Sequence, residues 1–397
     1  MSAPHTPDPG DPMVPGEVLG AAAERPPLRS GTGLALSGGG FRASLFGLGS
    51  LWRLNELGWL RSLGRITSVS GGSLTAGVLA ARWRELDFDA AGRATNFPEV
   101  VAGPLRAFCA RTLDWKAILC GLIPFVSVAG VARRAYERRL VRLPNGEVAR
   151  LADLPGPGAG PEFIFYATCL QTGSSFRFSR EGLSDWKLGR LPRLDITLGT
   201  ALAASAAFPP FLSPLRLETD SSQWIERPRI RDLDETERIR ARLLLGDGGI
   251  YDNMGIEALW RSMERVLVSD AGAPFSFIAS PRTNWPSQLG RVRDILIEQT
   301  RALRRRMLMG DLHENRYSGV YWGIHTRIGE YGAAPPLCAD SAVTRSLGAI
   351  STRLEALDAR TQERLINWGY ALADAAIRAH VDASISLGRF PYPANAL

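Results

Sequence analysis

The sequence predicts an α/β fold, a three-layer α/β/α arrangement around a mostly parallel central sheet. Short apolar runs alternate with longer stretches of helical periodicity, an order that builds parallel strands with helices on both faces. Glycine clusters stand where apolar runs end and helical patterns begin, as tight strand-to-helix turns require. The chain has 397 residues, 45% of them hydrophobic and 22% charged, so it can bury a large core.

Residues 1–30 are rich in proline and have no apolar stretch of the signal-peptide kind, which predicts a flexible tail. Gly33 to Ser37 reads as a buried strand closing in Gly38-Gly39-Gly40. Leucines from Leu45 to Leu60 recur at helical spacing, which predicts a helix over 44–63 that Gly58 and Gly64 fray or end. Ile66 to Val69 is the next strand and Leu74 to Leu86 the next helix. The run from Ala117 to Ala132 has 16 residues interrupted by Pro124, short of the roughly 20 needed to span a bilayer. It reads as a broken core helix in preference to a mobile apolar cover, and the chain is expected to be soluble.

Phe163–Leu170 and Ser175–Phe178 read as paired strands. Thr200–Ala207 is helical up to Pro209-Pro210, and 217–240 is a charged surface insertion. Leu243 to Leu245 is a buried strand running into Asp247. A helix is expected over 255–265, a strand over 266–270, and helices over 287–309 and 344–380. The simplest organisation is a core over 31–280 with a helical C-terminal extension over 281–397 packed on it.

The net charge of +7 is carried almost wholly by arginine and is compatible with anionic phosphate groups. Cys109, Cys120, Cys169 and Cys338 show neither CxxC pairing nor metal-ligand spacing, which predicts reduced thiols, a cytoplasmic setting and no metal site.

Ser70 in Ser68-Val69-Ser70-Gly71-Gly72 stands on a strand-to-helix turn. It has a small residue two positions before it and glycine two positions after, so its hydroxyl can be presented next to helix-opening N–H groups. Taken alone, the segment reads more readily as a tight structural turn. Gly38, Gly39 and Gly40 can turn several backbone N–H groups into one concave nest that fits an oxyanion or a phosphate. No Gly-Lys-Ser/Thr follows, which removes the phosphate-loop reading of ATPases, and Ala43 weakens a dinucleotide reading. Arg42 can reach either anionic substrate oxygens or a structural carboxylate. A hydroxyl nucleophile needs a base. His5 lies in the tail, and His313, His325 and His380 lack a small-residue loop setting. Asp247 follows a buried strand and is flanked by Gly246, Gly248 and Gly249, so it is either a turn aspartate or a carboxylate base whose pKa burial raises.

Together the Gly38-Gly39-Gly40-Phe41-Arg42 loop, Ser70 and the Asp247-Gly248-Gly249 segment resemble the patatin-like phospholipase family, leaning towards its cytosolic phospholipase A2 side. Ala167-Thr168 and the segment from Ala203 to Pro210 add to the likeness, which spans about residues 31–280. Ala43 and Ser68 depart from the family's glycines without removing a reacting group. The resemblance implies a patatin-like fold and hydrolysis of fatty-acyl esters by a Ser70–Asp247 dyad. It places the oxyanion at Gly38, Gly39, Gly40 and Gly71, with no cofactor. The implied partner is a membrane phospholipid met in transient contact with the membrane surface, and no nucleic acid. A regulated membrane-degrading effector switched by a nucleotide or partner is the alternative. A non-enzymatic phosphate- or nucleic-acid-binding protein would leave the turn at Ser70 and the glycines around Asp247 unexplained.

Overall fold

The computed structural model describes residues 28–113, 128–193, 195–210, 212–225, 235–260, 262–273 and 275–397. Most of the expected tail, residues 117–127 of the apolar run and residues 226–234 of the charged insertion lie outside the described residues.

A ten-stranded sheet organises the chain. Its strands are β1 (Arg29–Leu36), β2 (Leu63–Val69), β3 (Glu162–Cys169), β4 (Ser174–Ser179), β5 (Gly182–Asp185), β6 (Gly189–Leu191), β7 (Leu215–Glu218), β8 (Arg242–Asp247), β9 (Met263–Asp270) and β10 (Ser318–Gly323). The neighbours β10-β9-β1-β2-β3 are parallel throughout. Beyond β3 the sheet continues as antiparallel β4, β5 and β6. An antiparallel pair, β7 and β8, joins β3 past the end of β2.

The central strands read as unbroken apolar runs because both faces are covered. On β1, Leu34 and Leu36 enter the main hydrophobic core, whereas Ala35 meets Val266 and Val268 of β9 in a second cluster. The period of two thus sends alternate side chains into two layers.

The first helix, α1 (Gly40–Glu56), begins within the glycine loop rather than after it, and the second, α2 (Gly71–Ala81), follows β2 directly. α3 (Leu198–Ser205) ends before the two prolines, as expected. The long helix α4 (Trp285–His313) extends the predicted one at both ends. The helix α5 (Ala359–His380) crosses α1 at two glycines. A Cβ on Gly49 would lie 1.9 Å from the Ile366 carbonyl oxygen, and one on Gly369 would lie 2.0 Å from that of Phe46. Arg53 and the buried Asp374 pair across the same crossing at 2.7 Å.

Three expectations need correction. The residues after 280 are not purely helical, because β10 adds a parallel strand to the central sheet beside β9. Among the described residues of 255–265 there is no helix: Leu259 and Trp260 donate to the Ile256 carbonyl in isolated turns, and β9 starts at Met263. The helix expected over 344–380 is two helices, Ala342–Gly348 and α5, separated by an irregular segment. The break coincides with Arg42, whose guanidinium takes the Gly348 carbonyl at 2.8 Å and the Ile350 carbonyl at 2.7 Å.

Candidate active site

The sheet register brings two separate parts of the chain to one point. Val69, the last residue of β2, pairs with Tyr166 of β3, and the next residue of β3, Ala167, pairs with Asp247 of β8. The carboxyl ends of β1, β2 and β9 open on the same edge, where α/β proteins place their ligands.

Ser70 occupies the N-cap of α2 with φ 50° and ψ −117°. Among the described residues only Ser70 and Asn315 combine a side chain with positive φ. A serine at this position ordinarily turns its hydroxyl onto the helix N–H groups. Here the hydroxyl makes no cap bond and stands beside the Asp247 carboxylate, whose charged form it favours. The strained backbone therefore aims the side chain away from its own helix and leaves the N–H groups that open α2 without a side-chain cap.

A hydroxyl cluster holds this turn. The Ser70 N–H donates to Ser205 Oγ at 2.9 Å, Ser205 Oγ lies 2.8 Å from Ser73 Oγ, and Ser73 Oγ donates to Ser68 Oγ at 3.0 Å. Ser68 is fully buried and closes the cluster.

Asp247 is buried, and its backbone is fixed from both sides. Its N–H donates to the Ala207 carbonyl at 2.8 Å, and its carbonyl accepts from Thr168 Oγ1 at 2.8 Å. Its Oδ1 accepts from the Gly249 N–H at 2.7 Å. Burial pushes its pKa from 3.8 up to about 7, against the opposing pull of the Gly249 N–H and the Ser70 hydroxyl. Near neutral pH such a carboxylate can accept a proton far better than an exposed one.

The glycine loop lies against α2 backbone to backbone. A Cβ on Gly71 would stand 2.0 Å from the Gly40 carbonyl oxygen, so the close approach of the two helix starts requires glycine there. The Gly38 N–H donates to the Asn253 carbonyl at 3.0 Å, so that donor is already engaged. Gly40 and Gly71 are first residues of their helices, where a backbone N–H has no intrahelical acceptor.

Arg42 is not in the cavity. Its buried guanidinium donates to the carbonyls of Ala271, Gly348 and Ile350 at 2.5, 2.8 and 2.7 Å. Burial lowers its pKa to about 10, with the charge of Asp270 opposing, so it stays cationic at neutral pH. The substrate contact considered for it is corrected to a structural one, with carbonyls rather than a carboxylate as the main partners.

Ser70 and Asp247 open into a cavity of about 650 Å³ that Gly38, Gly39 and Gly40 also line. Phe208, Pro210, Leu212 and Ile297 form much of its apolar wall. Arg291, Arg293 and Arg301 reach it from α4, and Thr352 to Glu355 reach it from the segment that Arg42 holds.

A family model described as patatin-like phospholipase matches residues 34–260. The chain belongs to the patatin-like phospholipase family. No curated protein matches it. Among solved structures, human GIVD cytosolic phospholipase A2 is 14% identical with a TM-score of 0.48, covering 87% of this chain and 58% of that one. The same human protein in complex with methyl gamma-linolenyl fluorophosphonate gives 14% and 0.48, covering 87% and 57%. VipD from Legionella pneumophila is 16% identical with a TM-score of 0.39, covering 89% and 67%. The chain thus spans less than two thirds of the length of the human phospholipase chains. Among the described residues, no helix of this patatin-like protein is long and apolar enough to cross a membrane.

Sequence reasoning did not assign roles to Ser205 and Thr168, although the segments holding them were noticed for their family likeness. It missed Asn253, which lines the cavity and holds Gly38. It also missed the wall built by residues after 280. The Asp-Asn-Met-Gly turn after Asp247 was a readable signal for Asn253, since a polar side chain amid glycines close to a candidate base is a natural site residue. The C-terminal wall had no such signal.

Proposed function

We propose that this protein hydrolyses fatty-acyl esters of phospholipids, in the manner of a phospholipase A or lysophospholipase, with Ser70 as nucleophile and Asp247 as base. The observation that carries the reading is a serine on a positive-φ turn standing beside a buried carboxylate whose pKa is raised to about 7. Family membership supports lipid-ester chemistry.

In the first half-reaction the Ser70 hydroxyl proton passes to Asp247 as Oγ bonds to the ester carbonyl carbon, giving a tetrahedral oxyanion. The N–H groups of Gly39, Gly40 and Gly71 are the donors assigned to that oxygen; Gly38 shapes the loop while its own N–H stays on Asn253. Collapse of the intermediate breaks the bond to the alcohol, and Asp247 returns the proton to the departing oxygen. Water then attacks the acyl-serine, Asp247 takes its proton, and the fatty acid leaves as Ser70 Oγ recovers one. The apolar wall suits the acyl chain. Arg291, Arg293 and Arg353 take the phosphate-positioning role considered for Arg42.

The test is labelling with a serine-reactive fluorophosphonate, read together with hydrolysis of a soluble short-chain ester. The wild-type chain should label and turn over, and Ser70→Ala should do neither while keeping its circular dichroism spectrum. Equal labelling of Ser70→Ala would overturn the assignment.

A further inference from the structure

The helix α4 is amphipathic the wrong way round for a helix that packs on a core. Of its 29 residues only Arg301, Leu308 and Asp311 are buried. Its inward side is fastened mainly by polar contacts. Arg301 lies 3.8 Å from Asp270, Arg304 lies 3.1 Å from Glu257, and Trp260 donates to Asp311 at 2.6 Å.

The opposite side carries the apolar residues. At 100° per residue, Trp285, Leu289, Val292, Leu296, Leu303 and Met307 fall within a sector of about 60°. All six are exposed, with Trp285 at 77%, Leu289 at 66% and Leu296 at 62%. Just before the helix, Phe277 is 94% exposed and follows Ser276, which lines the cavity. An apolar stripe of this length open to water marks a surface that something covers.

The geometry points to an anionic phospholipid bilayer as what covers it, with α4 lying flat in the headgroup region and the cavity mouth held at the lipid surface. Three observations favour a bilayer over another chain. Aromatic Trp285 and Phe277 stand at one end of the stripe, as in interfacial helices. Cationic Arg291 and Arg306 flank the stripe on one side, which complements anionic headgroups, while Arg293 on the other side is paired with Asp294 at 2.8 Å. The helix that bears the stripe also forms the cavity wall through Arg291, Arg293 and Ile297, so docking brings the cavity to the substrate. A second copy pairing along the stripe would meet Gln299 and Arg306 at its edge, which limit an apolar seam. The choice of occupant rests on the proposed phospholipid substrate; the inverted amphipathicity does not.

The test compares the full chain with the Leu289→Glu/Leu296→Glu variant. Both positions are exposed and neither lines the cavity. Co-sedimentation is measured with phosphatidylglycerol vesicles and with phosphatidylcholine vesicles, at low and high salt, beside soluble-ester hydrolysis and light scattering. The wild-type chain should bind the anionic vesicles more tightly, and less so in high salt. The variant should bind at least about tenfold more weakly, with soluble-ester turnover unchanged. Equal vesicle binding by the variant, or none by the wild type, overturns the proposal. So does a wild-type dimer that the variant abolishes. Vesicle binding without ester turnover in the wild type would instead count against the proposed function and leave the docking face standing.

Discussion

Replacing Asp247 by asparagine should abolish turnover and, at alkaline pH, stabilise the fold. The carboxyl sits at about 7 in the folded chain against an ordinary 3.8, because burial disfavours its charged form. Below about pH 4 both folded and unfolded chains hold the proton, and the residue carries no penalty. Between about pH 4 and 7 the folded chain holds the proton and the unfolded chain releases it, so stability from this group falls as pH rises. Above about pH 7 both forms are ionised and the full cost remains, roughly 4 kcal/mol for a gap of that size. The asparagine side chain of the variant does not titrate. The difference in unfolding free energy, variant minus wild type, should therefore climb by roughly 4 kcal/mol between about pH 4 and pH 8. Urea denaturation of both proteins across that range measures it, and taking the difference cancels the other titrating groups. In the wild type, kcat/KM for a soluble ester should rise about tenfold per pH unit and level off near pH 7, because the base must be ionised. A stability difference that stays flat with pH, or that falls as pH rises, would refute the claim that Asp247 carries a raised pKa.

Two further substitutions test the supports of the site. Gly71→Ala would place a methyl group 2.0 Å from the Gly40 carbonyl oxygen, between two backbones that cannot yield by a rotamer change. It should cost on the order of 1–3 kcal/mol and reduce soluble-ester turnover by about a hundredfold or more, read by urea denaturation and steady-state kinetics; near-normal values in both would remove the close approach from the argument. Arg42→Met strips the charged donor from three carbonyls, those of Ala271, Gly348 and Ile350. It should lower stability by roughly 3–5 kcal/mol, and a loss under about 1 kcal/mol in the same assay would mean those bonds are replaced by water.

The candidate site was legible in the sequence wherever its geometry depends on local backbone. Ser70 and the glycines after it, the triple-glycine loop and the glycine-flanked Asp247 are each demanded by a turn, and turns leave short-range signatures. The parallel strands were legible for a similar reason, since burial on both faces gives runs such as Gly33 to Leu36. The misread parts depend on partners far away in the chain. Nothing local distinguishes Ile350 to Leu357 from a continuing helix, because the break is coupled to a guanidinium some three hundred residues earlier. Ser318 to Gly323 is too short and too glycine-flanked to announce a strand without β9 beside it. Arg42 was open to two readings because a motif position fixes where a backbone goes and leaves the side chain's partners undetermined.

That long-range coupling explains why the residues after 280 belong to the site rather than beside it. Arg42 immediately follows the Gly38-Gly39-Gly40 loop and Phe41, and its three carbonyl partners lie after β9 and in the segment before α5. The Phe41 N–H also donates to the Arg353 carbonyl at 3.3 Å, which places Thr352 to Glu355 against the cavity. A displacement of α5 would have to drag this segment, because α5 is locked on α1 at Gly49 and Gly369 and by the Arg53–Asp374 pair. The glycine loop and the part of the cavity wall at Thr352 to Glu355 are therefore mechanically one unit. A lipid surface pressing on α4 would load the cavity wall from the other side. In this arrangement a cationic side chain next to the glycine loop holds geometry, and the arginines that line the cavity come from the far end of the chain.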